Sequence, residues 1–343
     1  MPSSFTPSRR SLFAAAGLGV GAALLAACGS GAGGGGSADG NHLTVVTSAY
    51  PLRYLATKVG GEHVEIVDLT TPGADAHGLE LSIQQVIQVE KADLVPQIPG
   101  FQTALDDAIA SHGGDNVLDV SSVIDLIAAD AAGTHGEETS EEHAAHADEE
   151  GAGEGEDAEG EDAEGGHDGH DHGAFDPHFW HDPVRMADLG DAIAQRLGEL
   201  SPELADEFTA NAEALRTELE TLDQDLTDDF GAVDGDRPFI TSHAAYVYLA
   251  QRYDLHQIGI TGVDPETEPS PQRLLALEGI VRDEGVTTVF FETTASPKVA
   301  QTLADNLGIT AEELDNLETQ LSEDADYPQV MRENCTKLVA SWA

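Results

Sequence analysis

Cysteine is nearly missing from this chain, with two in 343 residues, Cys28 and Cys335. A disulfide scaffold is therefore excluded, and the fold must rest on a hydrophobic core. Basic residues are also scarce, 15 Lys and Arg against 64 Asp and Glu, which gives a formal charge of -49. Phosphate backbones are held by basic faces, so this balance argues against nucleic acid as a partner. No HExxH pair occurs, which removes that metalloprotease pattern. The apolar run "AAAGLGVGAALLAAC" is too short and too rich in Ala and Gly for a convincing membrane-spanning helix.

What is present at the start reads as a processing signal. Arg9-Arg10 and the apolar run form a twin-arginine-like signal peptide over residues 1–27. Leu25-Ala26-Ala27-Cys28 has the small-residue pattern of a bacterial lipoprotein cleavage site. The expected outcome is cleavage before Cys28 and acylation of its thiol, leaving an exported chain anchored to the membrane. Residues 28–41, rich in Gly and Ser, read as a flexible tether. Cys335 is left without a partner in an amphipathic segment, and a packed helix position is expected for it.

From residue 42 onward, short apolar strands alternate with helical periodicity. "HLTVVT", "HVEIVDLT", "DLVPQIP" and "NVLDVSS" read as strands, and amphipathic helices lie between them. The pattern resumes with "FITSH", "LHQIGITG" and "TTVFFET", and Ser270-Pro271 caps a helix that runs to Glu284. Between the halves, residues 184–235 hold two helices. The second is expected to start at Ser201 as N-cap and run to about Phe230, a rod of about 45 Å. The expected fold is α/β: lobes at 42–183 and 236–343, joined by one long helix, with a ligand site in the cleft between them.

Residues 131–173 interrupt the first lobe without any periodicity. This stretch is rich in Gly, Ala, Glu, Asp and His, and it cannot bury enough apolar surface to order itself. Residues 135–172 carry sixteen acids and no Lys or Arg; removing them takes the formal charge from -49 to -33, so the folded part is acidic too. The segment contains His135, His143, His146, His167, His170 and His172. These read as a weak, multi-site metal collector, or else as incidental residues of a solvating linker.

Three other histidines stand at strand exits or helix entrances: His77 in "TTPGADAHGLELS", His178 in "FDPHFWHDP" and His243 in "ITSHAAY". Each could project into one interdomain cleft, where an oxygen ligand would complete a four-coordinate set. His42, His63, His112 and His256 lie at element edges and read as surface residues. His181 carries no assignment. Trp180 is expected to pack beside the site, and Glu268 and Glu292 to play structural roles.

In order along residues 42–340, "PGADAHGLELS", "DPHFWHDPVRMADLGDAIAQRL", "ITSHAAYVYLAQRYDL", "EPSPQRL" and "FFETTASPKVAQTLADNLG" resemble the signatures of cluster A-I solute-binding proteins. These are the zinc and manganese receptors of bacterial ABC importers. The resemblance implies a C-clamp of two Rossmann-like lobes with metal between them. It places His77, His178 and His243 at the three histidine ligand positions. The fourth, carboxylate position falls in "ELDNLE" and is matched to Asp315, although the run Leu314-Asp315-Asn316-Leu317 departs from the usual Leu-Asp-Pro-Leu.

Manganese-type members usually place Glu where His243 stands, so the resemblance implies zinc as the transported ligand. It further implies delivery to an ABC permease by a monomeric receptor, with room for a metallochaperone as a further partner, and no enzyme activity. Manganese or another divalent metal is the alternative cargo. A zinc buffer or adhesin is the alternative function. A secreted zinc hydrolase would need an open coordination position and a general base, for which the sequence offers no motif. Neutral imidazoles are required for binding, so affinity is expected to weaken below about pH 6.5.

Overall fold

The computed structural model describes residues 42–112, 114–129, 175–265, 267–292, 297–322 and 326–343. The signal peptide 1–27, the tether 28–41 with Cys28, and the six histidines between His135 and His172 lie outside the described residues.

The first half runs β1 Leu43–Thr47, α1 Tyr50–Gly60, β2 Val64–Asp68, α2 Ile83–Lys91, β3 Val95–Gln97, α3 Thr103–His112 and β4 Val117–Asp119. β1 pairs parallel with β2, and β3 pairs parallel with β4. A parallel bridge, Val45 to Leu94, joins the pairs, so the strands lie in the order β2-β1-β3-β4. Two helices follow, α4 Pro183–Leu200 and α5 Ala205–Gly231. The second half runs β5 Pro238–Thr241, α6 Val247–Tyr253, β6 His256–Gly259, α7 Pro271–Glu284, β7 Thr288–Glu292, α8 Lys298–Leu307, β8 Thr310–Leu314 and α9 Tyr327–Ser341. Its sheet is parallel throughout, in the order β6-β5-β7-β8. In both halves the strand order reverses beside the first strand, which opens a crevice at the carboxyl ends of the strands.

The long helix forms as its sequence requires, with one correction at its start. Ser201 does not cap it: its hydroxyl bonds the Glu203 side chain at 3.0 Å. Pro202–Leu204 makes a tight 3-10 turn first, so α5 begins at Ala205. Its 27 residues span about 40 Å. Phe208, Ala212, Leu215, Leu219, Leu222, Leu226 and Phe230 recur at intervals of three and four and are all buried. Asp182 and Ser270, by contrast, do cap α4 and α7 through their side chains.

One continuous hydrophobic cluster contains Val45 and Leu55 of the first half, the inner face of α5, and Tyr246, Phe290 and Leu338 of the second. The α5 helix thus belongs to a shared core, which fixes the two halves relative to each other. Leu222→Ala is expected to lower stability by about 2–5 kcal/mol, the usual cost of a buried cavity. A urea titration checks this, and an unchanged midpoint would contradict the shared core. Cys335 is buried in α9, and burial pushes its thiol up to about 12, so it is inert at neutral pH.

Candidate metal centre

Four chain segments deliver side chains to one point. His77 sits in the loop after β2. The buried Gln102 amide donates to the carbonyls of Ser48 and Ala76, both at 2.8 Å, and so staples this loop to the end of β1. The His77 amide donates to Asp75 Oδ1, and its ring meets Phe101 edge-on at 4.7 Å. His178 precedes the 3-10 turn Phe179–His181, which leads into α4. His243 follows β5, on the crevice where the strand order reverses. The fourth is Glu318, from the loop after β8.

The geometry has the dimensions of a small coordination shell. His77 Nε2 and His178 Nε2 are 3.2 Å apart, and His178 Nε2 and His243 Nε2 are 3.4 Å apart. Glu318 Oε1 lies 3.4 Å from His77 Nε2, 3.4 Å from His178 Nε2 and 3.7 Å from His243 Nε2. A tetrahedron with zinc–nitrogen bonds of 2.0–2.1 Å has edges of about 3.3–3.4 Å. Among the described residues, His77, His178, His243 and Glu318 form the one group of metal-ligand type whose donor atoms converge this closely. His178, His243 and Glu318 are buried. Glu318 Oε1 is buried and makes no aligned hydrogen bond, which leaves its lone pairs available to a cation.

Asp315 is not brought into this group, which corrects the expected fourth position. Its Oδ1 accepts the Leu317 backbone N–H at 2.8 Å, a side-chain-to-backbone turn typical of Asp. Its own backbone is clamped by Asn334, which accepts from the Asp315 N–H and donates to the Asp315 carbonyl. Leu317 then takes the left-handed conformation, φ 60°, unusual for a branched side chain. That reversal swings the next residue, Glu318, into the cleft. Burial pushes the Asp315 carboxyl up to about 6. Its work is to shape the turn.

Electrostatics bind the group together. Burial alone would lower the His178 pKa, but Asp176 and Glu318 outweigh it and raise the imidazole to about 9. His243 is likewise lowered by burial and raised, on balance upward, by Glu292. Burial pushes Glu318 upward, yet the three histidines hold it well below the usual carboxylate range. The pocket thus holds a carboxylate, Glu318, against a protonated His178, and a cation entering it would have to displace that proton.

Neighboring residues fall out as follows. Trp180 packs its ring 5.1 Å from that of His178 and donates its indole N–H to the Asn316 carbonyl. His181 is fully buried against Tyr246, ring centroids 4.5 Å apart, and lies outside the converging group. Burial holds it well below the usual histidine range, so it is a neutral packing residue. His63 and His256 meet Glu207 and Glu284 at 3.0 Å near the surface. Glu292 is more than a scaffold residue: its Oε1 lies 3.0 Å from His243 Nδ1.

The chain resembles known proteins along most of its length. Residues 45–341 match the family model described as ZnuA, zinc-uptake complex component A periplasmic. The zinc-binding protein AdcA of Streptococcus pyogenes is 32% identical over 303 residues, 86% of this chain and 55% of that protein. This chain therefore spans about half the length of the AdcA relatives it matches. The high-affinity zinc uptake system protein ZnuA of Bacillus subtilis is 32% identical over 312 residues, covering 88% of this chain and 89% of that one. The solved structure of the laminin binding protein Lmb of Streptococcus agalactiae, described as having adhesin and metal transporting activity, superposes with TM-score 0.69 at 27% identity. It covers 88% of this chain and 100% of that one. A ZnuA crystal structure gives TM-score 0.69 at 25% identity, with the same coverage.

Proposed function

This chain belongs to the ZnuA family, and we propose that it is an extracytoplasmic receptor that captures Zn²⁺ and delivers it to an ABC permease. The observation that carries this reading is the convergence of His77, His178, His243 and Glu318 on one buried point. Three imidazoles and one carboxylate make a nitrogen-rich set that suits zinc better than the hard, oxygen-preferring manganese. All four positions of a tetrahedral shell are supplied by the protein. A closed shell leaves no room for an activated water, so the site is built to hold a metal and not to hydrolyze a substrate. Manganese as cargo would show as displacement of zinc by equimolar Mn²⁺.

The wider setting follows from the same reading. Attachment to the membrane would come from the acylated Cys28; among the described residues no helix is long and apolar enough to cross one. The described residues break off after Ala129 and resume at Phe175, three residues before His178, and the acid- and histidine-rich segment lies between them in sequence. Ala128 bridges Phe175, so the two roots of the segment are side by side. Metal gathered by its histidines would be released next to the cleft. A sequence of this composition has little apolar surface with which to preorganize a site, so its affinity should be far below that of the preformed one.

Calorimetric zinc titration tests this division of labor. A version lacking residues 135–172 is expected to keep one tight site, while His243→Ala loses it. Should the deletion abolish tight binding and His243→Ala preserve it, the protein is a zinc buffer built on the segment.

A further inference from the structure

Two of the three imidazoles are gripped in the same way by carboxylates from unrelated parts of the chain. Asp176 Oδ1 accepts the backbone N–H of His178 at 2.8 Å and lies 2.9 Å from its Nδ1. Glu292 Oε1 accepts the backbone N–H of His243 at 3.2 Å and lies 3.0 Å from its Nδ1. The Glu292–Nδ1 contact is close but not well aligned as a hydrogen bond. One carboxylate stands two residues before its histidine, and the other 49 residues after it. In each case a single oxygen accepts the backbone N–H of one histidine and lies against its ring Nδ1, and Nε2 is left facing the center of the site.

The carboxylates are themselves held. The Asp176 carbonyl accepts from Tyr248 Oη at 2.7 Å, and its amide donates to the Ile127 carbonyl at 2.8 Å. Glu292 Oε2 accepts from the Ser242 hydroxyl, and the Glu292 amide donates back to Ser242 Oγ at 3.3 Å. Both acids are buried, and Asp176 Oδ2 has no hydrogen-bond partner. A buried, half-satisfied carboxylate is a cost that packing alone does not explain. A ring nitrogen held by a carboxylate sets the tautomer and strengthens the other nitrogen as a metal ligand.

We propose that Asp176 and Glu292 are positioning residues that orient His178 and His243 toward the metal and set the affinity of the site. This rests on reading the site as a zinc site. At His77 the Asp75 carboxylate accepts the backbone N–H at 2.8 Å, while the ring packs edge-on against Phe101. His178 and His243, each with a carboxylate oxygen against its Nδ1, make one half of the site, and His77 and Glu318 complete it.

Asp176→Asn and Glu292→Gln preserve shape, and each is expected to weaken zinc about 10–100-fold at an unchanged stoichiometry. Ser242→Ala, which frees the other oxygen of Glu292, should give a smaller loss in the same direction. The readout that separates positioning from folding is the visible spectrum of the Co²⁺-loaded protein, which should shift in Asp176→Asn and Glu292→Gln. Asp182→Ala, which removes the N-cap of α4, should lower the melting temperature and leave the Co²⁺ spectrum alone. Wild-type affinity and spectrum in both carboxylate variants would overturn the proposal. If one variant does not fold, the other decides from the opposite half of the site. Failure of wild type to bind zinc would instead overturn the zinc reading itself.

Discussion

Glu318→Gln is expected to weaken zinc binding by about a hundredfold or more, while Asp315→Asn leaves it within about threefold. The two residues are three apart in one short loop, so the contrast isolates geometry from composition. Glu318 is buried with Oε1 within 3.4–3.7 Å of three imidazole nitrogens. Removing one member of a buried charged pair costs about 3–5 kcal/mol, and each 1.4 kcal/mol is about tenfold in affinity. Asp315 is engaged with the Leu317 amide instead. Asparagine makes the same turn, so the left-handed Leu317 and the aim of Glu318 survive. Competition against a fluorescent zinc chelator measures both variants. Equal losses in the two would mean that the loop acts as a unit and that neither carboxylate is a ligand.

Zinc affinity is expected to fall by about tenfold per pH unit as pH drops below about 9, or about a thousandfold by pH 6. Histidine binds metal only when neutral. In the metal-free protein burial opposes protonation of His178, but Asp176 and Glu318 raise it to about 9, and His243 is raised as well. The residue types alone place the loss below about pH 6.5, and the carboxylates around the site move it upward. At neutral pH zinc must then expel at least one proton, which calorimetry in buffers of different ionization enthalpy detects. An affinity flat from pH 9 to 6.5 would contradict the reading. The same shift acts on stability. A raised histidine pKa stabilizes the metal-free fold fully below the ordinary value near 6.5, and that contribution disappears as pH rises through about 9. Metal-free protein should therefore lose this part of its stability from neutral to alkaline pH.

The histidines were legible because each ends or precedes an element whose periodicity is plain. His77 follows β2, His178 comes before the capped start of α4, and His243 follows the wholly buried β5. The long helix was legible for the same reason, since its apolar spacing continues for about six turns. The fourth member of the group, Glu318, was not, because "ELDNLE" offers three acids and only the turn geometry chooses among them. A signal was present: Asp-Asn before Leu is turn chemistry, in which an Asp side chain bonds its own backbone and is lost as a ligand. The strand Thr310–Leu314 was hidden by Glu312 and Glu313, which give it no apolar face. Glu292 looked like the polar end of an apolar strand. Its role depends on a contact with His243 across 49 residues, which local pattern does not reveal.

Three imidazoles and Glu318 are expected to hold one zinc ion together. Zinc K-edge X-ray absorption on protein loaded with one equivalent tests it most directly. The expected spectrum is that of a four-coordinate ion with three imidazoles and one carboxylate oxygen at about 2.0–2.1 Å, and Glu318→Gln should alter it while Asp315→Asn does not. A six-coordinate, oxygen-rich shell, or fewer than three imidazoles, would contradict the account.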